Sequence, residues 1–109
     1  MATFFKTKLI KNIGTVPITA FSPISGTNST VIGLTLSNQT EFAVKANVRL
    51  KDDASVEVHY MKDVIVPANS TIRCVTQGEK LIIQSEYELI VQSDLTDSLD
   101  AVISYVDIV

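Results

Sequence analysis

In residues 42–51, FAVKANVRLK, every second side chain is apolar. Phe42, Val44, Ala46, Val48 and Leu50 fall on one side of a two-residue period. Lys45, Asn47, Arg49 and Lys51 fall on the other, the pattern of a strand with one dry face and one wet face. Wound as a helix at about 100° per residue, the same five apolar side chains would scatter around the circumference instead of forming a stripe. The chain is therefore built on half-buried strands, and a dry sheet face needs a second layer to cover it.

The same rhythm recurs along the chain. Residues 18–21 read as a short strand, closed off by Ser22-Pro23 and by a Gly-Thr-Asn-Ser turn at 26–29. In residues 30–37, TVIGLTLS, the alternation puts Ile32, Leu34 and Leu36 on one face. Gly33 falls on the other, where a missing side chain permits a bulge or the close approach of another backbone. Asn38-Gln39-Thr40 turns into the strand already described. Val56, Val58 and Tyr60 then alternate with Glu57, His59 and Met61, and the polar pair Lys62-Asp63 marks a bulge or break before Val64 and Val66. Further strands are expected at 71–75, with Ile72 and Cys74 inward, and at 80–84, 88–93 and 99–109. Turn signals at about ten-residue spacing give eight or nine short strands, the rhythm of an all-β, antiparallel β-sandwich, immunoglobulin-like or jelly-roll-like. Only residues 94–99 leave room for a helix of more than a turn. A chain of 109 residues holds one such domain. Residues 1–13 fit either its first strand or an N-terminal arm laid on a neighbour.

Charge and side-chain chemistry narrow the function. A net charge of −3 offers no basic field for a phosphate backbone, so nucleic acid is not an expected partner. No stretch approaches the roughly 20 apolar residues of a membrane helix. The lysine-scattered N-terminus does not read as a secretion signal, which points to synthesis in a cytoplasm. Without that signal, the N-x-S/T sites at Asn28, Asn38 and Asn69 are expected to be turn residues. Cys74, the single cysteine, reads as a small buried hydrophobe. His59, the single histidine, shares the wet face of its strand. Asp94, Asp97 and Asp100 would align on one helical turn, and Asp52 and Asp53 form a second acidic pair. Neither group has the alternating oxygen-ligand loop, with its glycine and closing glutamate, that calcium sites use. No nucleophile elbow, phosphate loop or paired-cysteine motif occurs. The expectation is a non-enzyme that needs no metal and no cofactor.

Apolar side chains are in surplus at the two ends. Phe4 and Phe5 are adjacent and face opposite ways if extended. In the last strand Leu99, Ala101, Ile103 and Tyr105 occupy one face, and Val102, Val106 and Ile108 the other. A sandwich has one interior, whereas a strand apolar on both faces is normally covered on both. Phe4, Phe5, Val102, Val106 and Ile108 are therefore the candidate interface residues, and a homo-oligomer is the expected state.

Taken in order, the segments TVIGLTLSNQT, FAVKANVRL, VIVPANSTI, GEKLIIQSEYELIVQSD and DAVISYV resemble the small virion structural proteins of tailed bacteriophages, those of cyanophages and other marine phages in particular. The resemblance spans residues 8–109 and lies in the order and spacing of strand and turn signals. Before Lys80 the chain has one glycine where that family often shows two, and Glu86-Tyr87 replaces its usual Gly-Asp corner. The resemblance implies a protein that does no chemistry and occupies a place in the virion after synthesis in the host cytoplasm. The favoured place is head decoration or cement bound to the major capsid protein; a neck, tail or baseplate component is the alternative. A host- or carbohydrate-binding sandwich module would instead present exposed aromatics, and Tyr60 and Tyr105 fall on expected apolar faces.

Overall fold

A computed structural model describes residues 3–75 and 78–108, with Ile108 for its backbone alone. Nine strands form: β1 (Thr3–Ile13), β2 (Ile18–Phe21), β3 (Asn28–Asn38), β4 (Val44–Lys51), β5 (Glu57–Val66), β6 (Thr71–Val75), β7 (Leu81–Ile83), β8 (Glu88–Ser93) and β9 (Leu99–Ile108). The described residues include no helix, and residues 94–98 bend and turn without winding one. All pairings are antiparallel. One sheet runs β1-β9-β3, with β6 and β7 following one another along the far edge of β3; the other runs β2-β8-β4-β5.

The pairings nest. β4 pairs with β5, β3 with β6 and β7, β2 with β8, and β1 with β9, like one long hairpin whose tip is the β4–β5 corner. Wound around the core, that hairpin brings β9 beside β3 and β8 beside β4. Of the two sandwich topologies expected, this is the jelly roll. Inward side chains from both sheets, among them Val31, Leu34, Leu36, Val48, Leu89, Val91, Leu99 and Ile103, close a dry centre. Phe21 of β2 meets Tyr105 of β9 across the layers with ring centroids 4.5 Å apart.

Burial departs from the expected alternation at Ile32, at Phe42, and at Val56 with Val58. Ile32 is exposed while Val31, Leu34 and Leu36 are buried, because a bulge separates Val31 from Gly33. The alternation expected from the sequence had placed Ile32 inward. Phe42 is likewise exposed: Asn38 Nδ2 and Thr40 Oγ1 donate to its carbonyl at 2.7 and 3.0 Å, holding it in the turn before β4 begins. Val56 and Val58 line an open hollow with Leu50, Tyr87 and Ile82 at the β5 edge instead of entering the core. The break expected at Lys62-Asp63 is present, both residues standing opposite Asn47 alone. Asp63 adopts φ 50° there, and Asn47 closes the bulge by accepting from its N–H at 3.0 Å.

Candidate interaction surface

The residues singled out for chemistry are dispersed by the fold. Asp94 Oδ1 accepts from the Lys45 N–H at 2.9 Å, and Asp100 Oδ1 from the Asn12 N–H at 3.0 Å. Asp97 sits in a turn at φ 52°. Each of these carboxylates serves its own corner. Asp52 likewise caps the β4–β5 corner, accepting from the N–H groups of Ala54 and Val56 at 2.9 and 2.8 Å. His59 is exposed opposite Arg49. Among the described residues, no group of three His, Cys, Asp or Glu side chains is placed to hold a metal ion. Cys74 is buried, as expected, and burial pushes its thiol up to about 12.

Asn28 opens β3, Asn69 turns at φ 54°, and Asn38 starts the β3–β4 turn, its Oδ1 accepting from the Thr40 N–H at 2.9 Å. It ends β3 inside the protein.

The candidate interface residues converge on the long sheet. β1 pairs antiparallel with β9 of the same chain, which places it as the first strand of its own domain. Asp107, buried on β9, accepts from the Ser29 hydroxyl and pairs with Lys6 Nζ at 3.2 Å, tying β1, β9 and β3 together. Even so, residues 3–9 are exposed on both faces of β1. Phe4 points to the same side as the buried Asp107; Phe5 points outward beside Val106. Directly opposed residues of antiparallel strands share a face, so the registers define rows across the outside of this sheet, three of which carry its exposed apolar side chains. Phe5, Val106, Thr30 and Ile82 form one, and Thr7, Ser104 and Gly33 the middle one. Leu9, Val102, Thr35 and Arg73 form the third. Exposure is 77% for Phe5, 73% for Leu9, 63% for Ile82, 41% for Val102 and 39% for the bulged Ile32, so this outer face is apolar and open to solvent. Ile108 pairs with Thr3 and Asn28 through its backbone, and its side chain lies outside the described residues.

Sequence reasoning missed Leu9, Ile32 and Ile82. Leu9 was legible, since it keeps step with Phe5 and Thr7. Ile82 lies in a run of three apolar residues, Leu81–Ile83, that hides which face each takes. Ile32 was hidden by the bulge.

The outside of the other sheet has opposite chemistry. Lys45, Arg49 and Lys51 stand there with Glu57, Glu88 and His59, and Arg49 Nη1 meets Glu57 Oε1 at 2.9 Å. In those three rows of the long sheet Arg73 is the one charged residue, and the next row, Asp100, Ser37 and Thr71, adds a carboxylate. The molecule thus has one outer side crowded with charged side chains and another dominated by aliphatic, Phe and hydroxyl side chains. Such a surface can bury area against another surface. Comparison of the chain with family models, curated proteins and solved structures found no match.

Proposed function

We propose that this protein is a non-enzymatic structural component of a phage virion, a head decoration or cement protein that oligomerises and binds the capsid. The observation that carries the reading is the group of exposed apolar side chains on the outer face of the long sheet, Phe5, Leu9, Ile82 and Val102 among them. An open apolar patch of several hundred Å² is a liability for a free monomer and an asset for a subunit that spends its life in contact. The order of strand and turn segments described above supports the placement in a virion. Jelly rolls are used both in viral capsid proteins and in lectins, so the topology is compatible with a particle component without selecting it.

The reading is tested by quantitative mass spectrometry of purified particles from an infected culture that makes the chain. Copurification with intact particles in hundreds of copies is the expected result. A count in threes, fives, sixes or a dozen would move the protein to a vertex, neck or tail. Absence from washed particles would sink the virion assignment.

A further inference from the structure

The four edges of the two sheets are not alike. β5 is broken by its bulge at Lys62-Asp63, β2 is four residues long with a register shift inside it, and β6 and β7 are five and three residues long. Short or bulged edges of this kind resist further pairing. β1 is different: it runs eleven residues without proline and keeps an unbroken register with β9 from Thr3 to Ile10. Among the described residues no strand pairs with its other side, which presents a row of backbone N–H and C=O groups to solvent.

Side-chain charge says what this edge admits. β1 carries Lys6, Lys8 and Lys11 and no carboxylate. Lys6 and Lys8 stand opposite Tyr105 and the buried Ile103, so both lie on the inner side of the sheet, while Phe5, Thr7 and Leu9 lie on the outer side. The carboxylates of β9 are occupied: Asp107 pairs with Lys6, and Asp100 accepts from the Asn12 N–H. Lys8 has no carboxylate partner among the described residues. A second copy pairing antiparallel through the middle of β1 would be centred on Lys6, Thr7 or Lys8. Centred on either lysine, it sets that lysine against its own counterpart; centred on Thr7, it sets Lys6 against Lys8 twice. Like charges directly opposite destabilise a strand pair, so the lysines turn away the chain's own copy and favour opposite charge. From this arrangement we infer that the β1 edge takes up an extended acidic segment of another protein, which joins the long sheet as an added antiparallel strand. Residues opposed across a ladder share a side. The segment therefore carries two carboxylates two residues apart, opposite Lys6 and Lys8, and apolar or β-branched residues opposite Phe5, Thr7 and Leu9. Such pairing does not depend on the virion assignment.

Heteronuclear NMR titration of the full chain with a blocked nine-residue peptide of alternating valine and glutamate is the test. Saturable shifts of the backbone amides of residues 3–10 are expected, with an affinity that falls at least about threefold between low salt and about 0.5 M salt. Lys8→Glu, at an exposed position, should keep the parent spectrum elsewhere and weaken that binding about tenfold. The same variant should gain binding of the counterpart peptide with lysine in place of glutamate. A valine–glutamate peptide with proline at its centre keeps the charge and loses a ladder donor, so its binding should be at least about tenfold weaker. Equal binding of the proline peptide would mean charge attraction without strand pairing, and overturns the inference. So does an absence of shifts at millimolar peptide, or shifts confined to the charged face of β4 and β5. A concentration-dependent dimer formed through β1 without peptide would make a second copy the occupant and overturns it equally. Particle association is read separately: a chain that takes the peptide but is absent from washed particles sinks the virion assignment alone, and a particle-bound chain that takes no peptide sinks the edge pairing alone.

Discussion

Asn38 is buried at the end of β3, where its Nδ2 donates to the carbonyls of Phe42 at 2.7 Å, Val66 at 3.1 Å and Pro67 at 3.3 Å. Its Oδ1 accepts from the Thr40 N–H and hydroxyl at 2.9 and 2.7 Å. One amide thus joins the end of one sheet to the two connections that lead into and out of the other. Asn38→Ala leaves buried backbone carbonyls without donors, each costing about 1–3 kcal/mol, and should destabilise by roughly 3 kcal/mol in a urea titration. A loss under about 1 kcal/mol would mean that water replaces the amide. Cys74 makes a second residue-scale prediction. Its thiol is raised by burial from 9.0 to about 12, and Tyr60 is raised by burial and then by the Glu79 carboxylate. Above pH 9 the unfolded chain gives up the thiol proton that the folded chain keeps. Stability should therefore fall as pH climbs from 9 toward 12. Cys74→Val should flatten that fall in urea titrations at neutral pH and at about pH 10; an unchanged slope would assign it to other groups.

At the scale of the element, β3 carries the most informative irregularity. Val31 pairs with Tyr105 and Gly33 with Ser104, so Ile32 is one residue too many for the ladder. With Ile32 deleted, Val31 would still point inward, Gly33 outward and Leu34 inward, and the ladder to β9 would become regular. Deleting Thr35 instead moves Leu36 and Asn38 to the opposite face, because a one-residue slip inverts a strand. The chain lacking Ile32 is expected to fold with a change of no more than about 2 kcal/mol, and the chain lacking Thr35 not to fold at all. Heteronuclear NMR of both chains checks this: a folded spectrum from the Thr35 deletion would show that the register can slip along β9.

For the whole molecule, the nested topology sets the folding rate. The pairing of β1 with β9 joins Thr3 to Ile108, and that of β2 with β8 joins Ile18 to Val91, so most of the sheet closes long loops before any local contact rewards it. Refolding by stopped flow should be slow, on the order of milliseconds to seconds, as for other sandwiches dominated by distant pairs. Microsecond refolding would require a local nucleus that this topology does not offer. The molecule measures 45 × 27 × 21 Å, long in one direction and thin in another. The two sheets of the sandwich give the protein two outer faces of contrasting chemistry.

Strand existence, turn positions and the antiparallel sandwich were legible in the sequence because two-residue periodicity and turn-forming residues are local properties. The spans of β2, β6 and β8 and the break at Lys62-Asp63 follow from them directly. Phe4, Phe5, Val102 and Val106 were legible as surplus, since counting apolar faces against one interior needs no coordinates. Four things were not: the jelly-roll winding, the outward turn of Ile32 and Phe42, the burial of Asn38, and the joining of Leu9, Ile32 and Ile82 into one surface. Phe42 is held by its near neighbours Asn38 and Thr40, through side-chain bonds that a two-residue period does not register; the others depend on what lies opposite a residue, and that neighbour comes from dozens of positions away in the chain. Periodicity states that a strand has two faces; only the packing of the second sheet decides which face is covered, and where along the strand that cover stops.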